Sequence, residues 1–408
     1  MMKGSRTAMN NRGFIRIQLL LLFILLLACC IWSCSGKQDV PDGTASAGAT
    51  SVLPDTGSET KAEPETASET TPATETETET ETATETVTEP ETSFNEGKVD
   101  YAIVDGTVIA TPQDGYSLGL DITDRTDLIG ICYTMWFNAI HGDGEGKLKG
   151  CLNVEELIAQ YGFSAKYGFG NEKEQHNHLH QFHYWSEPAQ GYYRSTDTDA
   201  IRNNMTLLYN AGVDFLILDY TYAHAGYRLG SWEWINYIGK PMNALLDTIM
   251  QMRAEGLGTP YVVMWMNDDS LFDAIYQSFY SVEKWTDCFV FWNDKPFIMR
   301  WNAGLDDIDT KYFTVRGMSG LHGASTAQWS YLQANNKRTV SYFGDDPEHV
   351  SVCVAAQLSY MSDPHSANGR AGGVFWYSQW LTAFKIHPKI VSVTWWNEWT
   401  AQLYYFDS

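Results

Sequence analysis

Residues 98–408 alternate short apolar runs, rich in β-branched and aromatic residues, with stretches of helical periodicity, and this alternation leaves few folds open. The runs fall at 128–137, 181–185, 213–221, 261–267, 288–292 with 297–301, 312–317, 350–360 and 390–396. Helical patterns occupy 197–210, 241–255, 271–285 and 373–386. Strands separated by helices build parallel sheets with crossover connections. Eight strands in this rhythm predict an α/β fold of (β/α)8 barrel type, and a stretch of about 300 residues suits one such domain. A doubly wound open sheet is the structural alternative, but no glycine-rich phosphate loop follows the first run.

Polar and aromatic residues collect where these runs end. The first closes on Trp136-Phe137-Asn138 and the second on His183-Tyr184-Trp185-Ser186-Glu187-Pro188. The third closes on Asp219-Tyr220-Thr221, the fourth on Trp265-Met266-Asn267-Asp268-Asp269, and the last on Trp395-Trp396-Asn397-Glu398-Trp399. In a barrel the C-terminal strand ends form the active face. Glu398, fenced by three indoles, and Asp219 are therefore the candidate catalytic carboxylates. Glu187, Trp185, His183, Trp136, Tyr220, Trp265, Asp268, Asn397, Trp396 and Trp399 are the candidate binding residues. Each has a plain structural reading as well: Asp219 could cap a loop, and Asp268 or Asp269 could cap the helix starting near Leu271. The chain is 14% aromatic, and indole or phenol rings gathered at one mouth suit the C–H face of a pyranose.

The front of the chain differs in kind. Lys3, Arg6, Arg12 and Arg16 precede an apolar run over 17–28 and then Cys29, Cys30 and Cys34, which is the order of an export signal. Leu26-Leu27-Ala28-Cys29 matches a lipoprotein cleavage box, with Cys29 the expected lipidation site and Cys34 the poorer match. Residues 35–97 are a linker in which Thr, Glu, Ser, Ala and Pro dominate, with too little apolar area to offset chain entropy. The expected order is a signal over 1–34, a disordered linker over 35–97 and the barrel over 98–408. The protein is then held at the outer face of the cell membrane by its lipid.

The whole chain carries 27 basic and 50 acidic residues, and residues 1–97 hold 6 and 15 of them, which leaves 21 and 35, a formal −14, in the barrel. That excess argues against nucleic acid or a highly anionic polysaccharide as partner and fits a neutral carbohydrate bound by a monomer. Cys132, Cys151, Cys288 and Cys353 are widely spaced and read as free thiols in apolar surroundings.

The segment FHYWSEPAQGYYRSTDTDAIRNNMTLLYNAGVDFLILDYT and the closing VTWWNEWTAQ resemble bacterial glycosidase-like barrels related to glycoside hydrolase families 71 and 99, over about Leu128 to Gln402. The resemblance implies a (β/α)8 fold, hydrolysis of a glycosidic bond and no organic cofactor. It also implies an active-site carboxylate at Glu398. Where the family 99 pattern has a second carboxylate three residues later, this chain has Ala401 followed by Gln402. The second carboxylate must then come from another strand, with Asp219 the first choice and Glu187 and Asp268 next.

Two other readings compete. His176, His178 and His180 would share a face of an extended segment, with His183 beyond, which is ligand geometry for zinc and would make the chain a metal-dependent hydrolase with Asp219 or Asp268 completing the shell. A non-catalytic glycan-binding lipoprotein would show the same tether and aromatic cleft.

Overall fold

The computed structural model describes residues 98–137, 151–301, 311–319, 328–332, 340–357 and 367–404. The export segment with Cys29, the linker, Asn138 and the end of the 350–360 run lie outside the described residues. No described helix is long and apolar enough to cross a membrane.

Eight strands form the centre: β1 Leu128–Thr134, β2 Phe215–Tyr220, β3 Tyr261–Met266, β4 Lys295–Trp301, β5 Thr314–Ser319, β6 Trp329–Ser330, β7 Asp346–Cys353 and β8 Ile390–Thr394. Parallel ladders join them in the order β6-β5-β4-β3-β2-β1-β8-β7. The order is cyclic, yet among the described residues no ladder joins β6 to β7. Side chains cross this seam instead. Trp329 Nε1 donates to Glu348 Oε1 at 2.7 Å, its ring stacks on His349 with centroids 4.4 Å apart, and Arg316 Nε reaches both Glu348 oxygens at 2.9 and 3.1 Å. A short strand, Ser341–Phe343, pairs antiparallel with the start of β7.

Alternation along each strand divides the core in two. Leu128, Cys132, Phe215, Ile217, Val263 and Trp265 pack inside the ring of strands. Their neighbours Ile129, Ile131, Leu216, Leu218, Val262 and Met264 pack outward against the helices. Gly130 belongs to the inner set, and a Cβ there would stand 2.7 Å from the Phe215 ring, so the aromatic filling of the ring requires glycine at this point.

The helices α1 Thr198–Asn210, α2 Lys240–Ala254 and α3 Val374–Ile386 fall where periodicity places them. Asp197 caps α1 by accepting from the N–H groups of Asp199 and Ala200, satisfying donors that the first turn leaves open. The pattern over 271–285 does not give one helix: it breaks into Asp269–Leu271, Phe272–Ile275, Tyr276–Tyr280 and Glu283–Cys288, which wind as 3-10, α, π and 3-10 turns. Aromatic and serine residues have weak helical preference, and along these turns Tyr276 stacks on Tyr312 and Tyr280 on Phe289.

The second expected barrel strand is a further correction. Phe182–Tyr184 lies in a separate three-stranded sheet, antiparallel to Thr400–Gln402 and parallel to Leu152–Asn153. β1 pairs directly with β2 instead, and the eighth strand of the central sheet is β6, whose two residues are too few for any pattern to mark. The cysteines of the domain are free, with Cys151 half-buried and the other three buried.

Candidate active site

Phe215, Ile217 and Asp219 share the inner face of β2, so the alternation of the strand itself delivers Asp219 to the C-terminal end of the ring interior. There it lies level with Thr134 of β1 and Trp265 of β3. Tyr220, one step on, faces the helices and is wholly buried among them; as a binding residue it is withdrawn. Asp219 accepts from the Thr221 N–H at 2.8 Å.

Glu398 stands on the connection 395–399 between β8 and Thr400–Gln402. Three tethers hold this connection. The Trp396 N–H donates to the Cys132 carbonyl at 3.0 Å, and the Trp185 N–H donates to the Trp399 carbonyl at 3.1 Å. Asn397 clamps β1, its Oδ1 accepting from the Thr134 N–H at 2.7 Å while Nδ2 donates to the Thr134 carbonyl and to Tyr193 Oη, both at 3.2 Å. The Asn397 amide is thereby consumed in holding Glu398 in place.

Both carboxylates line one cleft of about 1260 Å³, and its described lining contains no Lys, Arg or His. Asp219 is 4% exposed. Burial pushes it up to about 6, against the opposing hydrogen bonds from Thr221. Glu398 is exposed and lines the cleft. Loss of solvent to the surrounding protein, with the charge of Asp219 second, pushes it up to about 8. Near neutral pH the pair is therefore unequally charged, with Glu398 holding a proton and Asp219 ionised.

The cleft is aromatic. Trp136, Trp185 and Trp396 line it with their indole N–H groups anchored on the Thr400 carbonyl, the Ala401 carbonyl and Asn204 Oδ1 respectively. Trp265 forms part of its floor, ring to ring with Trp301, Tyr331 and Trp395. Trp399 is a wall, stacked on Phe137 at 4.3 Å and 5% exposed. Sequence reasoning missed Tyr222, Tyr227 and Tyr237, which also line the cleft. Tyr222 and Tyr227 lie in the loop beyond the end of β2, where no period marks direction, and Tyr237 lies in the π-helical turn Trp234–Gly239 that leads into α2.

Three other candidates stand outside the lining. Glu187 is exposed beside it. Asp268 caps the turn Asp269–Leu271 through the Ser270 N–H at 2.9 Å. Burial opposes its ionisation, but hydrogen bonds from Ser270 and the backbone of Ala225 outweigh that and hold it below the usual range. His183 is fully buried against Phe169, His178 and Trp185, with Nδ1 2.8 Å from the Gln181 carbonyl. Burial pushes it down to about 4, which keeps it neutral. The histidine-rich segment is not extended: Glu172–Asn177 is a helical turn capped by Asn171 and His178. Among the described residues no three His, Cys, Asp or Glu side chains are grouped to hold a metal.

No protein-family model matches the chain, and no curated protein does. Among solved structures it is similar to the GH99 endo-alpha-mannosidase from Bacteroides thetaiotaomicron, at 14% identity, a TM-score of 0.43, and coverage of 66% of this chain and 85% of that one. The same enzyme in complex with BIS-TRIS-propane matches at 14% identity and a TM-score of 0.41, covering 66% and 84%.

Proposed function

We propose that this protein is a glycoside hydrolase of the (β/α)8 class, acting on a neutral poly- or oligosaccharide. The observation that carries the reading is the carboxylate pair: Asp219 and Glu398 are the only charged side chains in the described lining of an aromatic cleft, and their environments separate them into an ionised and a protonated member. Hydrolysis of a glycosidic bond needs those two states, an acid for the leaving oxygen and a base or nucleophile at the anomeric carbon. Glu398 is the acid. Asp219 is its ionised partner, either attacking the anomeric carbon or drawing a proton from the attacking water, and the anomer first released, read by NMR, distinguishes the two. Indoles around the pair supply stacking surface and leave hydroxyl recognition to amides and carboxylates.

The chemistry is further proposed to take place outside the cell, with the chain carried on a lipid at Cys29 and spaced from the membrane by residues 35–97. The test of function is a panel of neutral polysaccharides and host glycans incubated with the full chain. Release of reducing ends by the unmodified protein, lost by two or more orders of magnitude in Glu398→Gln with binding retained, supports the assignment. Binding without turnover across the panel would favour the glycan-binding alternative.

A further inference from the structure

One wall of the cleft is built from uncharged amides around a single exposed indole. Trp396 is 37% exposed, and its Nε1 donates to Asn204 Oδ1 at 3.1 Å. Asn204 is 2% exposed and its amide is engaged at both ends: Oδ1 also accepts from Gln190 Nε2 at 3.1 Å, and Nδ2 donates to Tyr133 Oη at 3.0 Å. Asn203 Nδ2 in turn donates to Gln190 Oε1 at 2.7 Å. Gln190, Asn203, Asn204 and Trp396 all line the cleft, and Gln190 and Asn203 are exposed.

The geometry points to a neutral-sugar subsite on this wall, with Trp396 as its stacking platform and Gln190 and Asn203 as its hydroxyl partners. Asn204 is the positioning residue that sets the plane of the indole. An exposed indole on a loop would ordinarily sample several rotamers, and ordering it on binding would cost affinity. Here a buried acceptor on α1 fixes that rotamer in advance. Each NH₂ group donates one hydrogen within the network, so the second hydrogen of Gln190 and of Asn203 remains to meet an acceptor. No charge stands in the group, which suits hydroxyl groups rather than carboxylates, sulfates or amines. Trp396 lies two residues from Glu398, so the ring it holds belongs next to the bond being cleaved. This inference rests on the glycoside hydrolase reading and adds to it a location and a chemical class for one bound ring.

The experiment uses the full chain and, as probe, the short neutral oligosaccharides of hexoses and pentoses that the panel identifies as substrates. Asn204→Leu, which keeps the volume and removes the acceptor, is expected to raise KM about tenfold while kcat stays within about twofold. Trp396→Phe, which has no N–H to be held, raises KM as well, and adding Asn204→Leu to it costs less than Asn204→Leu alone, because one of the two bonds that Asn204 accepts is then already gone. The Trp396 indole N–H, followed by NMR, exchanges slowly in the unmodified protein and faster in Asn204→Leu. An unchanged KM in Asn204→Leu, or a full additional loss in the Trp396→Phe background, overturns the subsite. Should Asn204→Leu fail to fold, Gln190→Ala removes only an exposed amide, and a KM left unaltered by it overturns the proposal equally. A panel with no substrate at all overturns the hydrolase reading and the subsite together, whereas turnover with an unresponsive KM overturns the subsite alone.

Discussion

At the scale of single residues, the proposed hydrolysis makes a forecast about pH. It needs Asp219 ionised, so activity should rise through about pH 6, and Glu398 protonated, so activity should fall through about pH 8. A bell-shaped kcat/KM profile with those limbs is expected, each limb belonging to the coupled pair. Asp219→Asn should remove the acid limb and Glu398→Gln the alkaline one, along with most of the rate. A profile flat from pH 5 to 9, measured within roughly the range where ordinary carboxylates are fully ionised, would sink the assignment. The same burial has a cost in stability. The folded pKa of Asp219 lies above its unfolded value of roughly 3.9, so the stability it contributes is present below the unfolded pKa and is lost as pH rises through the folded one. Asp219→Asn keeps an acceptor for the Thr221 N–H and removes the buried charge. It should therefore stabilise the protein by up to about 3 kcal/mol above pH 8 and by nothing at about pH 3, as denaturant titrations at the two pH values will show.

At the scale of elements, what the sequence reveals is whatever a period or a strand end can mark. β1, β2, β3 and β8 are largely apolar runs, β4 and β7 are mostly apolar over 297–299 and 350–353 with polar starts, and the alternation of β2, counted from Asp219, also turns Tyr220 outward. That count needs only the sequence, and it outweighs the aromatic character of Tyr220 as a guide to where the side chain goes. β6 was not legible, because its two residues carry no period and are defined only by pairing with Met318 and Ser319. Phe182–Tyr184 carried a strand signal but no sign of its partner, since pairing with Thr400–Gln402 is a contact between distant parts of the chain. The amides Gln190, Asn203 and Asn204 were invisible for the same reason. Two substitutions test the elements that position the site. Gly130→Ala pushes a methyl group into the Phe215 ring and should cost about 1–3 kcal/mol. Trp329→Phe keeps the stack on His349 but withdraws the donor from Glu348, at a cost of about 1–3 kcal/mol. Chemical denaturation measures both, and kcat/KM should change little in Trp329→Phe, because the seam residue does not line the cleft.

At the scale of the whole molecule, the formal −14 of residues 98–408 and the absence of cations from the described cleft lining make a shared forecast. Affinity for a neutral glycan owes nothing to long-range attraction, so KM should stay within about twofold between low salt and roughly 0.5 M NaCl. A steep salt dependence would indicate a charged substrate. The order of the chain carries a last consequence, one of timing. β8 pairs with β1 on one side and β7 on the other, and it is synthesised after every other strand of the sheet, with Glu398 later still. Until that stretch leaves the ribosome, β1 and β7 present open edges, which are templates for aggregation. A nascent chain thus lacks Glu398 for as long as those edges stand open, and the same few residues end both conditions at once.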